Sequence, residues 1–122
     1  MVYLPPEPEA PRVTDESEDS TLGGYLRMHD RPPAFEGPDG HPYTVSIEVE
    51  RTGDLVSPHH GYLVFPKWAL TGVGIVGHLE SPTLIRSRRA AEARKYLEGL
   101  ELGAVRAILE GALSERDENT TL

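Results

Sequence analysis

The chain has no cysteine among its 122 residues, so it can form neither a disulfide nor a thiolate metal site. It also has no apolar run that approaches the ~18 residues needed to cross a bilayer. The opening stretch, 1–7, has neither a basic start nor a continuous apolar segment, so we expect no signal peptide. These absences predict a cytoplasmic protein without a transmembrane segment, and they leave open a peripheral position on a membrane complex.

The signatures of nucleophilic catalysis and of phosphate binding are absent as well. There is no G-x-S-x-G element, and no serine has a base at a spacing that the sequence reveals. The glycine-rich stretch 72–77 does not have the G-x-G-x-x-G register, and it continues into His78 and Leu79 as a strand. We therefore predict no cofactor, and an enzyme is the less favoured class.

Charge is the first positive feature of the sequence. The net charge is −8, and six acids against one arginine lie within residues 1–20. Two further acids lie at 117–118, so the body between 21 and 116 is close to neutral. Because nucleic-acid binding depends on a basic surface, this distribution predicts a protein partner and no nucleic acid.

The nearly neutral body contains one local cluster of basic residues. Its side chains do not align as one continuous stripe on a helix, which favours solvated charge over a nucleic-acid contact. The alternative is a contact with an acidic surface, such as the chain's own residues 7–19. The cluster comprises Arg86, Arg88, Arg89, Arg94 and Lys95.

The segment 1–21 is an acidic, proline-rich arm with too little apolar surface to offset its own chain entropy. We expect extended or polyproline-like geometry over 4–12 and disorder over 13–20 in isolation, with order supplied by another surface. A second stiff stretch at 31–35 also combines prolines with an arginine and an aromatic, as preorganised interfaces do. Alternatively, Phe35 caps the open end of the sheet. The predicted partner-binding residues are Tyr3, Leu4, Pro5, Pro6, Arg31, Pro32, Pro33 and Phe35.

Hydrophobic periodicity predicts three strands. Apolar residues occupy every odd position of 43–50, which is typical of a half-buried strand. The second strand, 62–70, contains Pro66 and is therefore predicted to be an edge strand or a bulged one. The third, 73–80, is weakened by its glycines, and 22–29 is predicted to be a short strand or turn.

The last third of the chain changes to helical periodicity. Ser87 is the predicted N-cap of a first helix, and Gly99 is placed for a left-handed C-terminal residue. A second helix follows three residues later, over 102–116. The predicted fold is α+β: a small three-stranded antiparallel sheet packed by a C-terminal helical hairpin, with an extended N-terminal arm.

The predicted organisation has one folded domain. The arm occupies 1–21, a single small α+β domain occupies 22–116, and a flexible C-terminus occupies 117–122.

A metal site is the main chemical alternative. His78 and Glu80 lie two residues apart on one predicted strand face, and Glu48 and Glu50 would join them if strand 43–50 lay alongside. Histidine with carboxylates suits zinc or a non-haem metal, and the loop histidines at 59–60 could add a ligand. The competing interpretation is an ordinary solvated strand face.

At the level of topology, three strands followed by a helix over 43–98 is similar to the small HicB-like antitoxin fold, without a shared residue motif. The resemblance implies a regulatory module. Our leading hypothesis is a non-enzymatic protein-interaction module, an accessory or structural subunit docked through the arm and the proline-rich loop. The alternatives are a small metal-dependent enzyme using His78 and Glu80, and the HicB-like module.

Overall fold

A computed structural model describes residues 18–120, in which three helices cover a six-stranded antiparallel sheet. The predicted α+β class is confirmed. In chain order the elements are α1 (Leu22–His29), β1 (Ala34–Glu36), β2 (Pro42–Thr44), β3 (Ser46–Arg51), β4 (His59–Trp68), β5 (Ile75–Glu80), β6 (Ile85–Ser87), α2 (Ala90–Glu98) and α3 (Leu102–Thr120).

The long strand β4 is the centre of the sheet. Val64 pairs with Ser46 of β3 on one edge and with Glu80 of β5 on the other. Lys67 pairs in the same way with both β2 and β5. Consequently β2 and β3 lie end to end along one edge of β4, while β5 and β6 lie along the other. The short strand β1 extends the first side by pairing with β2.

Pro66 explains why the predicted strand 43–50 is divided into two. β2 and β3 keep one common register along β4, so the interruption at Val45 is not a change of pairing. It falls beside Pro66, which has no N–H to give to the ladder. Pro66 therefore lies in the central strand and not in an edge strand, and the register shift beside Lys67 and Trp68 places the extra residue, Val76, in β5 rather than in β4.

The prediction of a small three-stranded sheet was wrong. Pro66 divides one predicted strand, and β1 and β6 contain three residues each, too few for a periodicity signal. The three-strand topology on which the similarity to the HicB-like fold rests is therefore not the topology of this chain.

The core lies between one face of the sheet and the helices. Odd-numbered residues of β2 to β5 point inward, as the alternation at 43–50 predicted, whereas Val73 and Ile75 are exposed although they share the parity of buried Leu79. α2 contacts β3, β4 and β6, and α3 contacts β5. Each large side chain buried here contributes about 1.5–3 kcal/mol. The central buried side chains are Tyr43, Val45, Ile47, Leu63, Phe65, Leu79, Leu22, Leu97, Val105 and Leu109.

The stretch 22–29 is a helix, not the predicted strand or turn. Thr21 caps its N-terminus by accepting the Gly24 N–H at 3.1 Å, and Asp30 ends it in the left-handed conformation at φ 52°. A Cβ on Gly23 would lie 2.7 Å from the Cβ of Glu98, so this glycine lets α1 approach α2 closely.

Both predicted ends of the first C-terminal helix also needed correction. The N-cap of α2 is Arg89, while Ser87 belongs to β6 and accepts the Arg89 N–H at 3.2 Å. Gly99 ends the helix in a right-handed conformation, φ −80°, rather than a left-handed one. The predicted second helix and its three-residue connection are confirmed by α3.

Candidate functional site

The face of the sheet opposite the helices is what we call the open face. Because side chains alternate along a strand, the even-numbered residues of β4 point away from the core. Four of them form a half-buried row along the middle of this face, and polar or acidic residues of β3 and β5 flank it. The row comprises Tyr62, Val64, Pro66 and Trp68.

Trp68 forms one wall of a shallow apolar cavity at the end of this row. The indole N–H donates to Thr44 Oγ1 at 3.0 Å, which fixes the orientation of the ring. The cavity has a volume of about 250 Å³, and its walls are Ala34, Pro42, Thr44, Trp68 and Gly72. Its size and lining suit an inserted apolar or aromatic side chain.

One wall residue, Ala34, lies within the predicted proline-rich stretch 31–35. That stretch therefore forms part of the rim of the cavity, but its side chains differ in their exposure to solvent. Arg31 is exposed, Pro32 is half-buried and Pro33 is buried. Phe35 points into the core, where it is 7% exposed and the Arg106 guanidinium lies 5.2 Å from its ring centroid. Phe35 is therefore part of the core cluster.

The β1–β2 turn is held against β4 by an Asp39 cluster. The buried Tyr43 hydroxyl donates to Asp39 Oδ2 at 2.6 Å, and Lys67 Nζ lies 3.3 Å from the same oxygen. The His41 backbone N–H donates to Asp39 Oδ1 at 3.1 Å. Burial alone would raise the pKa of Asp39, but the bonds from Tyr43, His41 and Lys67 together lower it below its usual value. The cluster therefore keeps an ionised carboxylate at the β1–β2 turn and positions β2, the strand that supplies Pro42 and Thr44 to the cavity.

The middle of the open face is electronegative around Tyr62. Glu48 lies directly across from Tyr62 in the β3–β4 register, and Glu50 and Glu80 lie nearby on either side of β4. Partial burial, followed by the negative charges of Glu50, Glu80 and Glu48, raises the pKa of the Tyr62 phenol. A positively charged group is favoured here for the same reason.

The predicted metal pair is present, but its surroundings differ from the predicted ones. His78 Nε2 and Glu80 Oε2 are 3.8 Å apart on the open face. β4 lies between them and β3, so Glu48 and Glu50 are not on the adjacent strand as the prediction required. Among the described side chains, those of residues 18–116, no three histidine or acidic groups are placed together as a metal ion would need.

The histidine pair 59–60 begins β4 instead of lying in a loop. The two side chains point to opposite faces, so they cannot share one metal ion. His59 Nδ1 lies 3.3 Å from the Arg88 carbonyl, and His60 Nε2 lies 3.7 Å from Asp54 Oδ2. The metal-dependent alternative remains a prediction without a described third ligand.

The four predicted arm residues Tyr3, Leu4, Pro5 and Pro6 lie outside the described residues. The Trp68 cavity was missed by sequence reasoning. The only signal for it was the alternation Tyr62, Val64, Pro66, Trp68, which shows an apolar second face on the strand.

Among the helices of residues 18–120, none has the length and apolar character required to cross a membrane. Comparison of the chain with protein-family models, with curated proteins and with solved structures finds no significant match.

Proposed function

We propose that this chain is a non-enzymatic protein-interaction module, an accessory subunit that docks a protein partner on the open face at the Trp68 cavity. The observation that carries the proposal is the cavity itself: a pre-formed apolar recess of about 250 Å³ on the sheet face opposite the three described helices. Its walls are rigid because Trp68 is bonded to Thr44 and the β1–β2 turn is held by Asp39. Rigid apolar recesses lose little entropy on binding.

The surroundings of the cavity define the chemistry of the partner. Beyond Trp68 the row continues through half-buried apolar and aromatic side chains, and Glu48, Glu50 and Glu80 line it. A segment with one apolar or aromatic anchor, followed by Lys or Arg side chains, complements both features. The predicted docking role of residues 1–17, which lie outside the described residues, remains part of this proposal as a second contact with the partner.

The test begins with tagged full-length chain in its native cell and continues with purified components. A partner recovered by cross-linking is reconstituted and titrated against the chain, with fluorescence of Trp68, the single tryptophan, as the readout. The variant Ala34→Arg places a long side chain in the cavity from an exposed strand position. Its matched control is Leu55→Arg, which adds the same charge at a loop residue that is 97% exposed near the other end of β4.

We expect the wild-type chain and Leu55→Arg to bind with a shift in Trp68 emission, and Ala34→Arg to weaken binding by about tenfold or more. Equal binding by all three would place the interface elsewhere. A chain that forms no complex with another protein under any of these conditions would refute the interaction role.

A further inference from the structure

β5 lies at the rim of the sheet. It pairs with β4 along one edge, and its outer edge, which faces away from β4, pairs with no described strand. In antiparallel pairs the N–H and C=O of one residue point to the same side. The Ser81 N–H donates to the Leu63 carbonyl at 2.8 Å, and in the same phase Leu79 and Gly77 point toward β4. The peptide groups of His78 and Glu80 therefore point outward.

This edge has little of the protection that edge strands normally carry. Lysine, proline or a covering element usually blocks such edges. β5 contains neither lysine nor proline, and Ile75 and Val76 at its start are 57% and 59% exposed. The bulge opposite the end of β4 lies at the hairpin end, so residues 77–80 keep regular pairing. The outward carbonyl of His78 receives the exposed Arg116 guanidinium at a long 3.4 Å.

The two ends of β5 carry complementary shapes. Before the strand, the hairpin turn projects Val73, which is 79% exposed. After the strand, an apolar cavity of about 200 Å³ opens between the β5–β6 connection and α3. Its walls are Pro82, Leu84, Ile108, Gly111, Ala112 and Glu115.

A second copy of the chain fits this arrangement. A two-fold axis at Leu79 runs the β5 strands of two copies antiparallel, and it sets the hairpin of each copy beside the 81–84 connection of the other. In that register His78 of one copy faces Glu80 of the other, an oppositely charged pair when the histidine is protonated. Residues 21–116 are close to neutral overall, and this register sets the Glu80 of each copy opposite a histidine and not opposite the other Glu80.

We propose that the chain forms a two-fold dimer through antiparallel β5–β5 pairing centred on Leu79. The contact of Arg116 with the His78 carbonyl is then replaced by the Glu80 N–H of the other copy. This dimer uses the outer edge of β5, whereas the Trp68 cavity opens on the sheet face and takes Ala34, Pro42 and Thr44 from the β1–β2 side of β4, with only Gly72 from the β4–β5 turn. The inference is therefore independent of the proposed partner.

Sedimentation velocity on the full-length chain over a range of concentrations tests the dimer. We expect a species of twice the 13.4 kDa chain mass. His78→Pro removes an N–H that points to the outer edge without removing a bond to β4, and it should weaken the dimer by about tenfold or more. His78→Val keeps the N–H and should retain the dimer, while circular dichroism should show the same fold in both variants.

Cysteine cross-linking tests the register, because the chain has no cysteine of its own. A mixture of His78→Cys and Glu80→Cys chains should form a disulfide faster than either variant alone or than a Leu55→Cys control. Should His78→Pro unfold the chain, this cross-link decides the question. A wild-type chain that is monomeric throughout, a dimer that folded His78→Pro leaves intact, or cross-linking no faster than the Leu55 control would overturn the proposal.

The two proposals fail separately. A monomer that binds a partner at the Trp68 cavity removes only the dimer, and a dimer that binds no other protein removes only the proposed function.

Discussion

In the Asp39 cluster, hydrogen bonds from single polar groups hold the β1–β2 turn in place. Tyr43 is 1% exposed, yet its hydroxyl reaches Asp39 at 2.6 Å, so one side chain serves both the core and the surface turn. A hydrogen bond to an ionised group contributes more than a neutral one, and removing the hydroxyl leaves the carboxylate with one donor fewer.

Replacing Tyr43 with Phe should lower the free energy of unfolding by about 1–2 kcal/mol at neutral pH, as measured by urea denaturation. Tyr96→Phe is the matched control, because Tyr96 is half exposed on α2 and should change stability little.

The same pair of variants should differ in their response to acid. The folded-state pKa of Asp39 lies below its usual value of 3.8, so its ionised form stabilises the fold above that pH, and this stabilisation is lost as the pH falls through the folded-state pKa. Tyr43→Phe brings the folded pKa closer to 3.8, and the difference from wild type should shrink as the solution is acidified below that value. A difference that is constant from neutral to strongly acidic pH would show that the hydroxyl acts independently of the carboxylate charge.

At the scale of elements, close approaches at glycine decide how the helices pack. A Cβ on Gly61 would lie 2.7 Å from Ile85 Cγ2 and 3.0 Å from Leu97 Cδ1, so β4, β6 and α2 meet at this glycine. Any larger side chain has to push the helix off the sheet.

Gly61→Val should therefore destabilise the protein by about 1–3 kcal/mol, as measured by chemical denaturation. Gly53→Val is the control, because a Cβ on Gly53 meets no atom within 4 Å. If both variants lost equal stability, the cost would reflect general strand or loop preferences and not the contact with α2.

Predictions about elements succeeded where periodicity was long and failed where a tertiary contact overrode it. The alternation at 43–50 and the helical spacing at 102–116 identified the buried faces correctly. The stretch 22–29, predicted as a strand or turn, forms α1 although it contains two glycines, which have low helix propensity. In the fold, Gly23 faces Glu98 and Gly24 faces the carbonyl of Glu18, contacts that no local pattern reveals.

At the scale of the whole molecule, the acidic N-terminal segment differs in charge from the nearly neutral body that follows it. The described contacts of the N-terminal side begin at 18–21: the Leu102 N–H donates to the Ser20 carbonyl at 3.0 Å, and Thr21 caps α1. A deletion of residues 2–17 leaves the contacts among the described residues in place. A deletion through residue 20 removes the bond between the Ser20 carbonyl and the Leu102 N–H.

We expect deletion of residues 2–17 to leave the thermal midpoint within about 2 °C of wild type and to abolish partner binding. Deletion of residues 2–20 should also lower the midpoint, by about 4–8 °C for each kcal/mol that is lost with the Ser20 bond. Differential scanning calorimetry measures both. A large loss of stability in the shorter deletion would mean that the arm packs on its own domain, and retained partner binding would end its docking role.

Composition and periodicity alone determined the α+β class, the inward faces at 43–50 and 102–116 and the concentration of acid at the chain ends, because these depend on neighbouring residues only. The tertiary structure decided that Pro66 lies in the central strand and divides its neighbour, that β1 and β6 complete the sheet, and that Trp68 lines a cavity with Ala34 and Pro42. Those features depend on which strands become neighbours, and strand order is set by the packing of the whole core rather than by any local pattern.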